Sequence, residues 1–489
     1  MTTKMRGTRI SNRWRAGDMR SLGDFLRFLD TERPEEVVRV ATPIDPKACD
    51  ATAYHQYFAE HERYPWLVFE NAAALDGSRW PGLFVTFTDT CLRRVALAYG
   101  LDPDAIQARD ITEIHAAGMS SPEPPEVIPT SEAPVKEVVI RGSDLSLDFL
   151  PFFRNAERDS GPGWITPIYI TRDFGTGRYN ISWHRGQYIG PNRFTARFYP
   201  GRHIYENFNL FRQAGKPMPC AAVVGHHPVF GDAAATRFET GDEYEGANGI
   251  YRRATGSTLR VTPSELWGDD LLVPADAEIV LEGYMLDEYA DAGPWSDYWR
   301  AYLGPKRMNI FEVSAITMRR KPIFVSVWPP TEVHANSSAV ILNRLKTFFP
   351  GVRDVHTPFA QTAIVSYRPR MPGEAMHLAG TLLSLGAQIK TIIVIDDDLD
   401  PYDLESVFFS LATRMDARRD VVIMPLARNV NDPSCEGPTV GGLLIDATRP
   451  KDDLEFDIGL PPRDRVEAAA RSLPPDILRR IPSGNRHRL

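Results

Sequence analysis

The chain has 489 residues, 43% hydrophobic and 25% charged, with a formal net charge of −8, the profile of a globular protein with room for two or three domains. An acidic balance with no dominant basic segment argues against nucleic acid as the main partner. No run of about 18 apolar residues is present to span a membrane.

The four cysteines, Cys49, Cys91, Cys220 and Cys435, show no CxxC spacing. They fit a reducing compartment and neither a disulfide framework nor a thiolate zinc site. The basic stretch MTTKMRGTRISNRWRAGDMR has no apolar segment of the kind a secretory signal carries. A cytoplasmic location is expected.

In chain order, SLGDFLRFLD predicts a helix capped by Ser21, with Asp24 three residues on and Leu22, Phe25, Leu26 and Leu29 on one face. EVVRVATPI and WLVFENA read as strands. TDTCLRRVALAYG reads as a helix closed by Gly100. The proline-rich stretch SSPEPPEVIPTSEAPVKE reads as a linker. After it come closely spaced β-like runs (ITPIYITRD, YNISWHR, RFTARFY, CAAVVG, TLRVTP, AEIVLEGYML, NIFEVSAITM, PIFVSVW), with YENFNLFRQAG as the one clear helix. That series predicts an antiparallel barrel or sandwich. The last part alternates again: SSAVILNRLKTFF, EAMHLAGTLLSLG and DLESVFFSLATRM as helices, KTIIVIDDD, VVIMPL and GGLLIDAT as strands. This predicts a second α/β layer with some parallel strands. The expected fold class is therefore α/β (α+β), in three parts.

Several clusters carry possible chemistry. YNISWHRGQYIGPNRFTARFYPGRH holds Asn180, Arg185, Arg197, Arg202 and His203. On two adjacent strands, alternation sets Asn180, Ser182 and His184 on one face and Trp183 and Arg185 on the other. The gathered cations suit a phosphate or carboxylate; a solvated strand face with ordinary charge pairs is the plainer alternative. Glu239 and the acids of TGDEYEGANG (Asp242, Glu243, Glu245) read as a solvated loop on their own. Joined by an Asn and a His, they could ligate a hard divalent ion at a phosphate. Asp396, Asp397 and Asp398 follow the strand TIIVI and read as loop residues capping the next helix, beside Asp400 and Asp403. His226 and His227 are adjacent, so on a strand they point to opposite faces. In AGPWSDYW a Gly-Pro turn sets Asp297 among Trp295, Tyr298 and Trp299. That is either a surface turn or a proton donor whose pKa burial would raise. No GxGxxG, P-loop, GxSxG or HExxH occurs.

Taken in order, N-x4-R, the GxNR…R…RH block, the DEY loop, VPAxAEIVLEG, the GP-aromatic-x-acid turn, K-x-IIVIDDDLD and GxLIDAT resemble the UbiD family, from FLRFLD to LIDATRP. These are (de)carboxylases that use prenylated flavin mononucleotide (prenylated FMN). The resemblance implies an N-terminal α/β domain (1–118), a linker (119–136), a central split β-barrel of flavin-reductase type holding the cofactor (137–330) and a C-terminal α/β domain used in oligomerisation (331–489), as a dimer or hexamer. It implies that Asn180, His203 and Glu243 bind a divalent ion, Mn2+ or Mg2+, at the flavin phosphate, with K+ as a further ion. It implies flavin contacts from Asn180, Ile181, Ser182, Trp183, His184, Arg185, Arg197, Arg202, His203 and Glu243, and Lys390 near the phosphate.

The implied activity is reversible non-oxidative decarboxylation of an aromatic, heteroaromatic or α,β-unsaturated carboxylic acid through a covalent prenylated-FMN adduct. Arg185 would hold the carboxylate and Asp297 would return the proton. The flavin is needed as an electron sink, which no side chain supplies. Where the family commonly has a first acid, this chain has Ala292, which leaves room and less negative charge for a bulkier or second acidic group on the substrate. No segment for making the modified flavin is evident, so a separate flavin prenyltransferase is the expected partner. Two other readings stay open. An FMN-dependent oxidoreductase would need neither the acid turn nor Arg185, and a non-catalytic subunit would have no reason to keep Asn180, Arg185, His203, Glu243 and Asp297.

Overall fold

The computed structural model describes residues 19–87, 92–238, 241–297, 301–327, 335–359, 361–385, 389–428, 439–450, 454–457, 459 and 461–473. Its first helix, Leu22–Glu32, starts as expected: Ser21 and Asp24 form a reciprocal capping box, and Leu22, Phe25, Leu26 and Leu29 are buried. The face packs on Trp66, Val68 and Val85 of a four-stranded sheet. Three strands of that sheet are Val37–Val40, Trp66–Phe69 and Leu83–Phe87; the fourth, Ile323–Val327, returns from far along the chain to pair in parallel with Leu83–Phe87.

Most of the central β-runs join one nine-stranded antiparallel sheet, while Arg260–Ser264 and Ile323–Val327 pair in other sheets. Its backbone is the long pair Ile279–Ala292 and Lys306–Met318, whose register shifts at two bulges. Such bulges bend a strand and increase its twist, which lets the sheet curl into a half-barrel. Met218–Val224, Ile168–Arg172 and Tyr179–Trp183 extend it on one side. The proline-rich stretch adds Glu126–Val127, paired in parallel with Arg260–Ser264, and buries Val135.

Two helices here went unread in the sequence, Pro228–Ala234 and Glu243–Thr255. The second contains Gly246 and Gly249, and glycine lowers helix propensity by about 1 kcal/mol. Packing explains Gly249: a Cβ there would meet the carbonyl oxygens of Ser121 at 2.4 Å and Gly118 at 2.5 Å. The helix therefore lies backbone to backbone against Ala108–Met119. The acidic stretch is thus a helix start rather than a loop.

The C-terminal part is a five-stranded sheet in the order Val352–His356, Thr362–Tyr367, Thr391–Ile395, Thr439–Ala447, Val421–Arg428. Its inner pairs are parallel and its edge pairs antiparallel. Helices Ala335–Phe348, Glu374–Ser384 and Leu404–Thr413 lie where the sequence predicts them. Among the described residues no helix is long and apolar enough to cross a membrane.

Candidate active site

The strand Tyr179–Trp183 and the starts of two helices meet at one point. Asp242 caps Glu243–Thr255 by accepting from the Tyr244 N–H, and its other oxygen accepts from the Tyr179 N–H at 2.9 Å, tying helix to strand. Glu243, the first helical residue, is thereby aimed at the strand. Its Oε2 accepts from Asn180 Nδ2 at 2.8 Å and from the Ile181 N–H at 2.6 Å. Its Oε1 lies 2.8 Å from Nδ1 of His203, the first residue of helix His203–Gln213.

These three side chains border a cavity of about 160 Å3 whose walls include Asp173, Arg178 and Asn207. An amide oxygen, an imidazole nitrogen and a carboxylate make a donor set that suits a hard divalent ion. Among the described residues no group of three or more His, Cys, Asp or Glu forms a metal site; this set differs in taking an Asn. Two helix N-termini at the same cavity add positive potential, as an anionic phosphate requires.

Arg185 follows Asn180 by five residues, on the chain segment leading out of the same strand. Its Nη2 donates to Asp297 Oδ1 at 2.8 Å and its Nη1 to the Ser296 carbonyl at 2.6 Å. The Asp297 side chain is 3% exposed and that of Arg185 21%. The turn carrying Asp297 is anchored rather than loose. Asp159, itself buried, accepts from the Ser296 N–H at 2.5 Å, Gln187 accepts from the Gly293 N–H at 2.9 Å, and the Asp297 N–H donates to the Ala301 carbonyl at 2.9 Å. Gly293 sits at φ +101°, a backbone region open chiefly to glycine.

The Trp295 ring is buried, packs on Trp164, and has the Arg185 and Arg197 guanidiniums 5.9 and 6.0 Å from its centre. Trp295 thus supplies part of the expected aromatic surround; Tyr298 and Trp299 lie outside the described residues. Ala292 is buried, opposite Lys306 in the strand pair.

Asn180, Ser182 and His184 do share one face: Ser182 Oγ donates to Asn180 Oδ1 at 3.2 Å, and His184 Nε2 lies 3.0 Å from Ser182 Oγ. His184 is also within 2.7 Å of the Arg197 carbonyl, and burial pulls its imidazole down to about 3, so it is neutral. Trp183 donates from Nε1 to the Gly231 carbonyl, and Arg202 occupies the N-cap position of the helix that His203 begins. Lys390 stands on a different sheet, at the foot of Thr391–Ile395, with its N–H donating to the Gln361 carbonyl.

One residue at this site was missed in the sequence. Tyr199 lies with its ring 4.9 Å from the Arg197 guanidinium. Burial first, and the Asp297 carboxylate second, push its phenol up, so it stays protonated. Its only signal was its i+2 spacing from Arg197.

The other clusters have structural partners. Asp403, not the 396–398 run, caps Leu404–Thr413. Asp396 and Asp398 hold the Arg414 guanidinium at 2.7 and 2.8 Å. His226 and His227 are buried and held neutral, with imidazoles pulled down to about 4 and about 3 by burial. Within VPADAEIVLEG, Asp276 pairs with Arg260, Glu278 accepts from the Ile323 N–H, and Glu282 from Lys136 and the Glu265 N–H.

Two family models cover consecutive parts of the chain: the 3-octaprenyl-4-hydroxybenzoate carboxy-lyase Rift-related domain over 126–332 and the 3-octaprenyl-4-hydroxybenzoate carboxy-lyase C-terminal domain over 333–447. An uncharacterized protein of Archaeoglobus fulgidus is 32% identical over 359 residues, 70% of this chain and 72% of that one. An evolved dimeric form of the UbiD-class enzyme HmfF from Pelotomaculum thermopropionicum, solved in complex with prFMN, matches with TM-score 0.77 at 28% identity, covering 92% of this chain and 99% of the other. The vanillic acid decarboxylase of Sedimentibacter hydroxybenzoicus in its closed form matches with TM-score 0.82 at 25% identity, covering 92% and 98%. With both domain models matched in order and the barrel fold shared along nearly the whole chain, the protein belongs to the UbiD family of carboxy-lyases.

Proposed function

We infer that the protein removes CO2 from an aromatic, heteroaromatic or α,β-unsaturated carboxylic acid without net oxidation, at Arg185 and Asp297. The observation that carries this reading is the Arg185 guanidinium. It is fixed by Asp297 and the Ser296 carbonyl through Nη1 and Nη2, while among the described residues Nε has no partner. An arginine positioned in this way retains donors for a substrate carboxylate. The chain's own acid, Asp297, lies beside that position and, after taking up a proton from solvent, would return it to the carbon that loses CO2. Burial of Trp295 and Asp297 keeps water away from both steps.

The electron sink is prenylated FMN, which supplies delocalisation that no side chain has. Asn180, His203 and Glu243 would hold a divalent ion, Mn2+ or Mg2+, with K+ as a further ion, at its phosphate. Ile181, Ser182, Trp183, His184, Arg185, Arg197 and Arg202 would contact the flavin, and Lys390 of the C-terminal domain would contribute a positive charge near the phosphate. A separate flavin prenyltransferase supplies the cofactor, and self-association through the C-terminal domain completes the assembly. Ala292 admits a substrate with a bulkier or second acidic group.

The test is to produce the protein with and without a flavin prenyltransferase, with manganese, identify the released cofactor by mass spectrometry, and assay CO2 release from a panel of mono- and dicarboxylic aromatic acids. Prenylated FMN together with CO2 release that depends on it is expected. Plain FMN under both conditions with no CO2 release overturns the reading.

A further inference from the structure

The cavity of about 160 Å3 beside Asn180, His203 and Glu243 is walled by a single cationic side chain among the described residues, that of Arg178. Arg178 belongs to the hairpin joining Ile168–Arg172 to Tyr179–Trp183. Its backbone is fixed. The Asp173 N–H donates to its carbonyl at 2.7 Å, and Asp173 Oδ1 accepts from the Gly175 N–H, the Thr176 N–H and the Thr176 hydroxyl, which sets the turn. Its guanidinium is exposed and, among the described residues, has no carboxylate partner. The neighbouring Arg172, by contrast, is committed to the Gly177 and Asp270 carbonyls and to the Tyr179 ring.

Charge balance favours a further cation at the wall of this cavity. A phosphate at this cavity brings about two negative charges at neutral pH, and Asp173 and Glu243 in the walls bring one each. A divalent cation cancels only half of that total. The helix starts at His203 and Glu243 together contribute roughly one positive charge of dipole. The nearby Asp242, whose carboxylate accepts from the Tyr179 and Tyr244 N–H groups, adds one more negative charge. Arg178, in the cavity wall, supplies part of the remainder, together with Lys390 and K+.

We propose that Arg178, in the wall of this cavity, binds the phosphate of the flavin cofactor alongside the metal ligands. The proposal rests on the flavin reading above, and the test separates the two. Apo-protein with manganese is titrated with FMN and with riboflavin, which has the same ring system and no phosphate, following flavin fluorescence. The wild type binds FMN more tightly than riboflavin. Arg178→Ala weakens FMN binding about tenfold or more, as loss of a charge-assisted contact to phosphate does, and leaves riboflavin binding unchanged. Arg178→Lys, which keeps the charge without the fork, recovers part of the loss.

Equal FMN affinity in Arg178→Ala and wild type overturns the assignment, and so does an equal loss for both flavins, which marks a structural role. A wild type that binds neither flavin overturns the flavin reading itself, and this proposal with it.

Discussion

Two arginine–aspartate clusters in this protein use the same chemistry to opposite ends. In the C-terminal domain the Arg414 side chain is fully buried, and all three of its guanidinium nitrogens are engaged by Asp396, Asp398 and the Phe456 carbonyl at 2.6 to 3.0 Å. Arg449 adds a second link to Asp398 at 2.6 Å and reaches Asp457 at 3.0 Å. The hydrogen-bonding capacity is spent within the chain, and the cluster pins residues 454–457 to the end of the sheet. In the barrel, Arg185 is held more loosely, by two hydrogen bonds through Nη1 and Nη2. The remaining donor capacity, rather than the ion pair, is what the proposed role in holding a substrate carboxylate rests on.

Substitutions that separate activity from stability break or sharpen this contrast. Asp297→Asn removes the proton and keeps the shape, so kcat should fall by about 10²–10⁴ while the melting temperature changes little. A large drop in melting temperature would make the barrel cluster structural as well. Arg414→Met removes the guanidinium that pairs with the buried Asp396, leaving it the Arg449 N–H at 2.7 Å and the Arg449 guanidinium at 3.9 Å, and should cost up to about 3 kcal/mol of stability by denaturant titration, with flavin affinity unchanged.

Gly249→Ala drives a Cβ into the Ser121 and Gly118 carbonyls, costing about 1–3 kcal/mol. Because it shifts the helix that starts at Glu243, FMN affinity should fall with it, unlike in Arg414→Met. A smaller effect is expected at Glu278, a third buried acid. Burial pushes its carboxyl up to about 7, against the pull of Arg319. A carboxyl raised in the folded state favours folding fully below its ordinary value and loses that contribution as pH rises through about 7. Glu278→Gln should therefore be more stable than wild type at pH 8, by about 1–2 kcal/mol, with the gap closing toward pH 5. A gap that widens toward acid would contradict the assignment.

Much of this architecture was legible in the sequence. The Ser21–Asp24 cap, the C-terminal helices and the buried strand before Asp396 follow from caps and hydrophobic periodicity, which are local signals. The helix at Glu243 was hidden because Gly246 and Gly249 answer to packing against Phe238 and the Ala108–Met119 helix, and tertiary contact overrides propensity. The return of Ile323–Val327 to the N-terminal sheet is a long-range pairing with no local mark. At the site, Asn180, Arg185, His203 and Glu243 could be picked out by motif order. Tyr199 and Arg178 could not, because their significance lies in what surrounds them in space. The acids of VPADAEIVLEG show the converse: a conspicuous run of carboxylates explained by structural partners.

The most direct test of the central claim is turnover of an aromatic acid substrate in D2O by the flavin-loaded enzyme, wild type against Asp297→Asn, with the product read by NMR or mass spectrometry. The account predicts one deuterium at the carbon that carried the carboxylate in wild type. It also predicts a 10²–10⁴-fold slower appearance of that product in Asp297→Asn, which retains its flavin. Labelled product forming at the wild-type rate in Asp297→Asn would contradict it.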